Sequence, residues 1–224
     1  MNKICVVFVL AFCSFQIAFC QSEFKEAKTF FDNNIIISQN LESLLVKQYA
    51  EFALSIVAPE VWEYSSLSDM AETFTLKVLY AQSGQGNFSI GYFQMKPTFA
   101  ESIENSIKAN TTLKNKYREL IIYEDTAQAE RAERIQRLAS LKYQTIYLAA
   151  FFELASSKIK NWTSNNKNNY QRLRNLATLY NGGLNLSEST ALELQKKKQF
   201  PSIGLNKRNY SDLVVDFYGY YFER

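Results

Sequence analysis

Histidine is absent from this 224-residue chain, and its three cysteines (Cys5, Cys13 and Cys20) all lie in the first twenty residues. Without histidine, catalytic triads with an imidazole base and zinc sites with histidine ligands are excluded. If the first twenty residues are removed, no thiolate nucleophile, thiolate metal site or disulfide remains. An enzyme of this composition must work with carboxylate, lysine, tyrosine and serine side chains, and we expect neither a metal nor a cofactor.

The amino-terminal residues have the pattern of a cleavable signal peptide. Lys3 supplies a short positive region, Ile4 to Phe12 form an apolar core, and Ala18-Phe19-Cys20 ends the segment with small residues at the −3 and −1 positions. We therefore expect an exported protein, periplasmic or secreted. The apolar run is too short to span a membrane and no second long run follows it, so we expect no transmembrane span.

A second interpretation makes Cys20 the lipid-bearing residue of a lipoprotein anchored to a membrane. Phe19, immediately before it, is bulky and fits a lipidation site poorly. Cleavage after Cys20, with Gln21 as the first residue of the mature chain, is therefore the preferred interpretation.

The remaining residues are numerous enough for one domain with a substantial core. We divide the chain into a signal peptide (1–20), a lead-in segment (21–38) and a single domain (39–224), which we expect to be a monomer. The 25 basic and 22 acidic residues give a formal net charge of +3, which falls by one when Lys3 is removed. This balance is too mild to indicate a nucleic-acid partner, and it permits only weak contact with acidic envelope polymers.

Hydrophobic periodicity predicts a mainly α fold, with at most a short β-hairpin or extended segment near residues 82–95. A first helix starts at Asn40, a plausible N-cap, and ends where Pro59 interrupts it. The other predicted helices cover Leu67 to Tyr80, Pro97 to Ile107, Thr126 to Ile159, Tyr170 to Tyr180 and Tyr210 to Phe222. The run from Ile146 to Leu154 is strongly apolar, and Gly182-Gly183 offers a helix C-cap.

Three segments carry residues suited to chemistry. The first, Asp69 to Thr73, places Glu72 at the polar edge of an otherwise apolar helix, where an apolar wall can hold the proton of a carboxylic acid near neutral pH. The second, Ser89 to Ala100, contains Gly91, which permits close backbone approach, and Gln94, whose amide both donates and accepts as an N-acetyl sugar requires. The third, Leu176 to Gly183, ends a helix at a phenol and an amide, Tyr180 and Asn181.

In this order, the segments resemble the motifs of the lysozyme-like lytic transglycosylases. That family has Glu-Ser, then Gly-Leu-Met-Gln followed by Pro and Thr-Ala, then Ala-x-x-Ala-Tyr-Asn-Ala-Gly. This chain has Glu72-Thr73, Gly91-Tyr92-Phe93-Gln94 with Pro97-Thr98-Phe99-Ala100, and Leu176 to Gly183. It departs in Thr73, in Tyr92-Phe93 and in a longer gap between the first two motifs. The helix from Tyr143 to Ile159 also resembles the family's long buried helix.

The resemblance implies a lysozyme-like helical domain that cleaves peptidoglycan or a related N-acetyl-amino-sugar glycan. Glu72 maps onto the acid, while the mapped substrate contacts are Ser89, Gly91, Tyr92, Gln94, Tyr180 and Asn181. In such an enzyme a single glutamic acid protonates the glycosidic oxygen between MurNAc and GlcNAc, and the substrate's N-acetyl group assists. The carboxylate then deprotonates the sugar 6-hydroxyl, which closes a 1,6-anhydro product.

Three further interpretations remain open. A lysozyme-type hydrolase needs a second carboxylate, for which Glu60, Glu63, Asp69, Glu101 and Glu104 are available. Glu63 and Glu101 are the preferred candidates for it, although solvation on a helix surface is the favoured role for each. A non-catalytic envelope protein could also have kept the fold and only bind glycan, and an exported helical protein with no glycan role is the remaining alternative.

Overall fold

The structure is a computed structural model that describes residues 24–66, 70–86, 88–166, 168–201 and 207–223, with the backbone alone at 65–66, 70–76 and 165–166. The predicted signal peptide with its cysteines, Gln21 and Asp69 lie outside the described residues. Over the described ranges the chain is mainly helical without a strand, which confirms the all-α prediction. In place of a hairpin, single antiparallel bridges join Ile90 to Met95 and Phe200 to Arg208.

Eleven helices are formed by the described residues. They are α1 (24–33), α2 (Ile36–Leu44), α3 (Lys47–Ser66), α4 (Met70–Ser83), α5 (Pro97–Lys108), α6 (Thr111–Lys116), α7 (Ala127–Leu138), α8 (Leu141–Ile159), α9 (Asn169–Gly182), α10 (Glu188–Leu194) and α11 (Tyr210–Phe222). Two 3-10 turns, Arg118–Leu120 and Thr163–Asn166, complete the helical structure. Among these described helices, none is both long and apolar enough to cross a membrane.

Helix α8 runs through the middle of the core. Each residue from Tyr147 to Phe152 is at most 1% exposed, so this part of the helix is buried on every side. It packs against α2, α3, α5, α7 and α9. The apolar run in the sequence thus forms the helix around which the other elements assemble.

The first predicted helix is wrong at both ends. Asn40 lies inside α2 instead of capping a helix, and the extended backbone at Leu45 separates α2 from α3. The apolar periodicity runs on across this break, because spacing alone carries no signal for a single extended residue. Helix α3 then continues through Pro59 to Ser66. Pro59 lacks the N–H that a helix residue would donate. In the turn of α3 before Pro59, the carbonyl of Ile56 accepts a hydrogen bond from the hydroxyl of Tyr210 (2.6 Å).

The long helix predicted from Thr126 to Ile159 is in fact two. The Thr126 hydroxyl accepts the Ala129 N–H (3.2 Å) at the start of α7, and the backbone becomes extended at Ser140 before α8 begins. Helices α6 and α10 have too few residues to show a clear period, and they were not predicted. By contrast, α11 has the predicted bounds.

Part of the predicted lead-in segment belongs to the same core. Helix α1 packs on α11 through aromatic rings, with Phe217 at 5.7 Å from Phe24 and 6.0 Å from Phe31 between ring centroids. Phe24 and Phe31 are both buried. The described part of residues 21–38 therefore adds to the core of the domain that it precedes.

A buried ion pair ties four helices together. Arg134 on α7 donates to both carboxylate oxygens of Glu104 on α5 (2.7 to 3.1 Å) and to the hydroxyl of Tyr80 on α4 (2.7 Å). Tyr147 on α8 donates to the same carboxylate (2.5 Å). All four residues are at most 2% exposed, and these bonds offset the cost of burying the two charges. The network fixes α5, whose first turn forms part of the cleft described next.

Candidate functional site

A cleft of about 870 Å³ opens between α3, the segment before α5, and the carboxyl-terminal part of the domain. Its walls come from α3, the first turns of α5, the end of α9 with the loop that follows, the end of α10, and the start of α11. This size is in the range of sites that bind small ligands. The aromatic rings that line it include Phe99, Tyr180, Phe200 and Tyr210, which present apolar faces suited to sugar rings.

Two carboxyl groups from α3, those of Glu60 and Glu63, line the cleft. They are three residues apart, so they project from one face of the helix on successive turns. Each residue is only 9% exposed, which for Glu63 corrects the expectation of solvation on a helix surface. Helix α11 packs across α3 and covers this region.

Burial gives Glu60 the properties of an acid that keeps its proton near neutral pH. Desolvation first, and the negative charge of Glu63 second, raise the pKa of the Glu60 carboxyl to about 8. A hydrogen bond with the Tyr210 hydroxyl and the positive charge of Lys96 act in the opposite direction and are smaller. An apolar surrounding and a like charge both disfavour the carboxylate, and here they act together.

Two tyrosines surround this acid. Burial, followed by the negative charge of Glu60, raises the pKa of both Tyr180 and Tyr210 well above its usual value, so both stay neutral phenols. The Tyr210 hydroxyl has one hydrogen, which it donates to Ile56 O. That bond fixes the phenol on α3, beside the Glu60 carboxyl.

A tight turn from Ile90 to Met95 contributes Gln94 and Met95 to the lining of the cleft. Backbone hydrogen bonds of 3.0 and 3.2 Å between Ile90 and Met95 close this turn. Gly91 (φ +71°) and Gln94 (φ +46°) both have left-handed backbone conformations. The Gln94 side chain donates to the Gly91 carbonyl (2.8 Å), which leaves its amide oxygen free of intramolecular bonds among the described groups. Tyr180 donates its hydroxyl hydrogen to Phe93 O (2.6 Å), so it positions the turn.

Gln144 of α8, which is 1% exposed, holds this turn from behind. Its amide nitrogen donates to Ile90 O (2.8 Å) and Leu138 O (2.7 Å), and its oxygen accepts the Phe93 N–H (3.1 Å). A Cβ atom on Gly91 would meet the Gln144 amide nitrogen at 1.9 Å. The close approach that Gly91 permits is therefore to Gln144.

The predicted site residues do not all reach the cleft. Those that line it are Ser89, Gln94, Tyr180, Asn181 and the preferred second carboxylate Glu63. Tyr92 lies outside the lining, 41% exposed, with its ring 4.7 Å from Phe30 and 4.8 Å from Tyr64. Gly91 is also outside it, as is Glu101, whose side chain is 46% exposed and lies 4.0 Å from Arg134.

Glu72, the predicted acid, is on α4, where only the backbone is described, so its side chain lies outside the described residues. The place of Glu60 in the cleft was not predicted from the sequence. The available signal was its spacing from Glu63, because two acids that are three residues apart on a helix lie on the same face. The roles of Tyr210 and Gln144 could not be predicted from neighbouring residues in the sequence, because each contacts residues that are far away along the chain.

Comparisons with models of protein families, with curated proteins and with solved structures found no match. Across the described residues, no group of three or more histidine, cysteine, aspartate or glutamate side chains is placed to hold a metal ion.

Proposed function

We propose that this protein is an exported, peptidoglycan-cleaving lytic transglycosylase that uses Glu60 as its acid. The observation that carries this proposal is a buried carboxyl group, with its pKa raised to about 8, on the wall of an 870 Å³ cleft. The second and third sequence motifs support the same class, because they contribute Gln94, Tyr180 and Asn181 to this cleft. The reaction would break the β-1,4 bond between MurNAc and GlcNAc.

A general acid works best when its pKa lies near the operating pH. With a pKa of about 8, roughly nine in ten Glu60 side chains carry the proton at pH 7. Glu60 would donate this proton to the glycosidic oxygen as the bond breaks. As a carboxylate, it would then remove the proton from the sugar 6-hydroxyl, whose oxygen attacks the anomeric carbon and closes the anhydro ring. The acid is regenerated by the second step.

A mechanism with one acid suits the arrangement of the carboxyl groups. A hydrolase of the usual kind needs two carboxyl groups that flank the sugar ring. Glu60 and Glu63 project from one helix face, and the described cleft lining contains no third carboxylate. The substrate's N-acetyl group would therefore assist at the anomeric carbon, as the resemblance implies, while Glu63 helps to keep Glu60 protonated.

The rest of the cleft offers groups that bind an N-acetyl sugar. The amides of Gln94 and Asn181 can donate and accept hydrogen bonds, and Phe99 presents a partly exposed ring for stacking. The Gln94 amide is held by its bond to the Gly91 carbonyl (2.8 Å), so little motion is lost when substrate binds.

The test is mass spectrometry of purified sacculi digested with the wild type and with Glu60→Gln, Glu72→Gln and Glu63→Gln. We expect the wild type to release 1,6-anhydro fragments, with kcat/KM falling above about pH 8 as Glu60 loses its proton. Glu60→Gln should abolish release and Glu72→Gln should retain it. Glu63→Gln should move the alkaline limb to lower pH, because the charge that raises the pKa of Glu60 is gone.

Each alternative has its own outcome. Loss of activity in Glu72→Gln with retention in Glu60→Gln would assign the acid to Glu72 and overturn our choice of residue. Fragments with reducing ends, heavier than the anhydro products by one water, would identify a lysozyme-type hydrolase. Sacculus binding without fragments in any variant would identify a non-catalytic glycan-binding protein, and absence of binding would exclude a role on this glycan.

A further inference from the structure

Two lysines lie in the wall of the cleft, on different elements of the fold. Lys96 immediately precedes α5, and Lys197 follows α10. Both line the cleft and both are exposed. They are the only cations among the described residues of the lining, which contains no arginine.

The backbone that carries Lys197 is fixed in place. Asn209, which is 6% exposed, donates from its side-chain amide to the carbonyls of Lys197 (2.7 Å) and Leu194 (2.9 Å). The Lys197 N–H donates to Leu194 O (3.0 Å). A buried amide thus anchors the turn at both ends, so the ammonium group has a defined starting point at the cleft.

Neighbouring acids are engaged with other cations. Glu193 accepts a hydrogen bond from Lys196 (2.6 Å), and Asp212 is paired with Arg174. For Lys197 and Lys96, no carboxylate of the described residues lies within ion-pair distance. Their charges are therefore available to a ligand.

The charge balance of the cleft follows from the state of Glu60. With Glu60 protonated, Glu63 contributes one negative charge to the described lining and the two lysines contribute two positive charges. The two acids are buried on α3, whereas the lysines are exposed to an incoming ligand. A ligand in the cleft therefore meets a net positive rim, which favours anionic groups.

We propose that Lys96 and Lys197 bind carboxylates that branch from the glycan, so that the cleft takes peptide-bearing strands in preference to neutral N-acetylglucosamine polymers. This inference rests on the proposed function, since it names the glycan that the site would cleave. The lactyl group of MurNAc ends in a carboxylate or is joined to a peptide that has its own carboxylates, whereas a chitin strand has none. A neutral strand would leave both ammonium groups hydrated and would gain nothing from them.

The experiment measures binding in the Glu60→Gln background, where turnover is removed and the cleft stays neutral at that position. The probes are soluble peptide-bearing glycan strands and chito-oligosaccharides of matched length, titrated by calorimetry at low and high ionic strength. Lys197→Gln should weaken binding of the peptide-bearing strands about two- to five-fold, in line with one exposed charge pair, and Lys96→Gln should do the same. High salt should weaken binding of the unsubstituted protein more than that of either variant.

Lys198→Gln is the matched control, because Lys198 is exposed, adjacent in sequence and outside the cleft lining. It should change neither binding nor its salt dependence. Binding of chito-oligosaccharides should be weaker from the start and insensitive to all three substitutions.

The inference and the proposed function fail in different ways. Equal affinity for both glycans, unchanged in Lys96→Gln and Lys197→Gln, would overturn the inference and leave cleavage by Glu60 intact. Lysine-dependent binding of peptide-bearing strands by a protein that releases no fragments supports the inference and overturns the proposed function. Failure of both glycans to bind overturns the two together.

Discussion

Replacing Glu60 by glutamine should change how the stability of the folded protein depends on pH. The raised pKa of this carboxyl means that the folded state keeps a proton between about pH 4.5 and pH 8, while the unfolded state has already released it. Folding stability therefore falls as the pH rises through this window, because the unfolded state binds fewer protons. The contribution of the Glu60 proton to the free energy of unfolding is fully present below about pH 4.5 and is lost by about pH 8.

The magnitude follows from the size of the shift. A change from 4.5 to about 8 corresponds to a total loss of about 5 kcal/mol, since one unit is worth about 1.4 kcal/mol. Roughly half of this falls between pH 5 and pH 7. Glutamine has nearly the same shape and no proton to lose, so Glu60→Gln should be the more stable protein at pH 9 by about this amount. For a chain of this length that corresponds to a difference in Tm of roughly 10–20 °C.

The assay is urea unfolding, followed by circular dichroism at pH 5, 7 and 9 and constant ionic strength. The free energies of wild type and Glu60→Gln should lie close together at pH 5 and diverge as the pH rises. Glu63→Gln should show a smaller divergence, since Glu63 is the second cause of the shift. Glu124→Gln, an exposed acid in a loop, is the control and should follow the wild type. Parallel curves for Glu60→Gln and wild type would refute the buried-acid argument.

Two further substitutions test the frame around the cleft by the same unfolding assay. Gly91→Ala places a Cβ atom 1.9 Å from the Gln144 amide nitrogen and should destabilise the protein by about 2–4 kcal/mol. Gly84→Ala, at φ +75° and with Arg131 3.6 Å from the new Cβ atom, should cost clearly less. Equal losses in the two variants would contradict the packing argument. Arg134→Met leaves the Glu104 charge buried without its partner and should cost about 3–5 kcal/mol, part of which Glu104→Gln in the same chain should restore. A loss under about 1 kcal/mol for Arg134→Met would show that water reaches this pair.

The helices that the sequence predicts well are those whose own residue pattern shows which side of the helix is buried. The apolar run within α8 predicts a helix buried on all sides, and Tyr210 to Phe222 shows an aromatic pattern that α11 follows. Hydrophobic spacing reports which face is buried, but it is insensitive to one extended residue. It therefore carried the first helix across Leu45 and joined α7 to α8 at Ser140.

The residues of the candidate site were also predicted only in part. The motif order led to Gln94, Tyr180 and Asn181, which the fold gathers at one cleft. The state of Glu60 could not be predicted locally, because its burial depends on α11, whose Tyr210 lies 154 residues beyond Ile56. For the same reason Gly91 was assigned to substrate instead of to Gln144, since nothing near it in the sequence shows the α8 side chain behind it.

The bond from Tyr210 to the Ile56 carbonyl also bears on the order in which the molecule becomes competent during synthesis. A chain emerging from the ribosome presents α3 and its two acids long before α11 exists. Until α11 docks, water surrounds Glu60, and its carboxyl is an ordinary ionised group that cannot donate a proton at neutral pH. A nascent or truncated chain therefore lacks the neutral acid of the cleft, and the glycan cleavage that we propose would begin only when folding is complete.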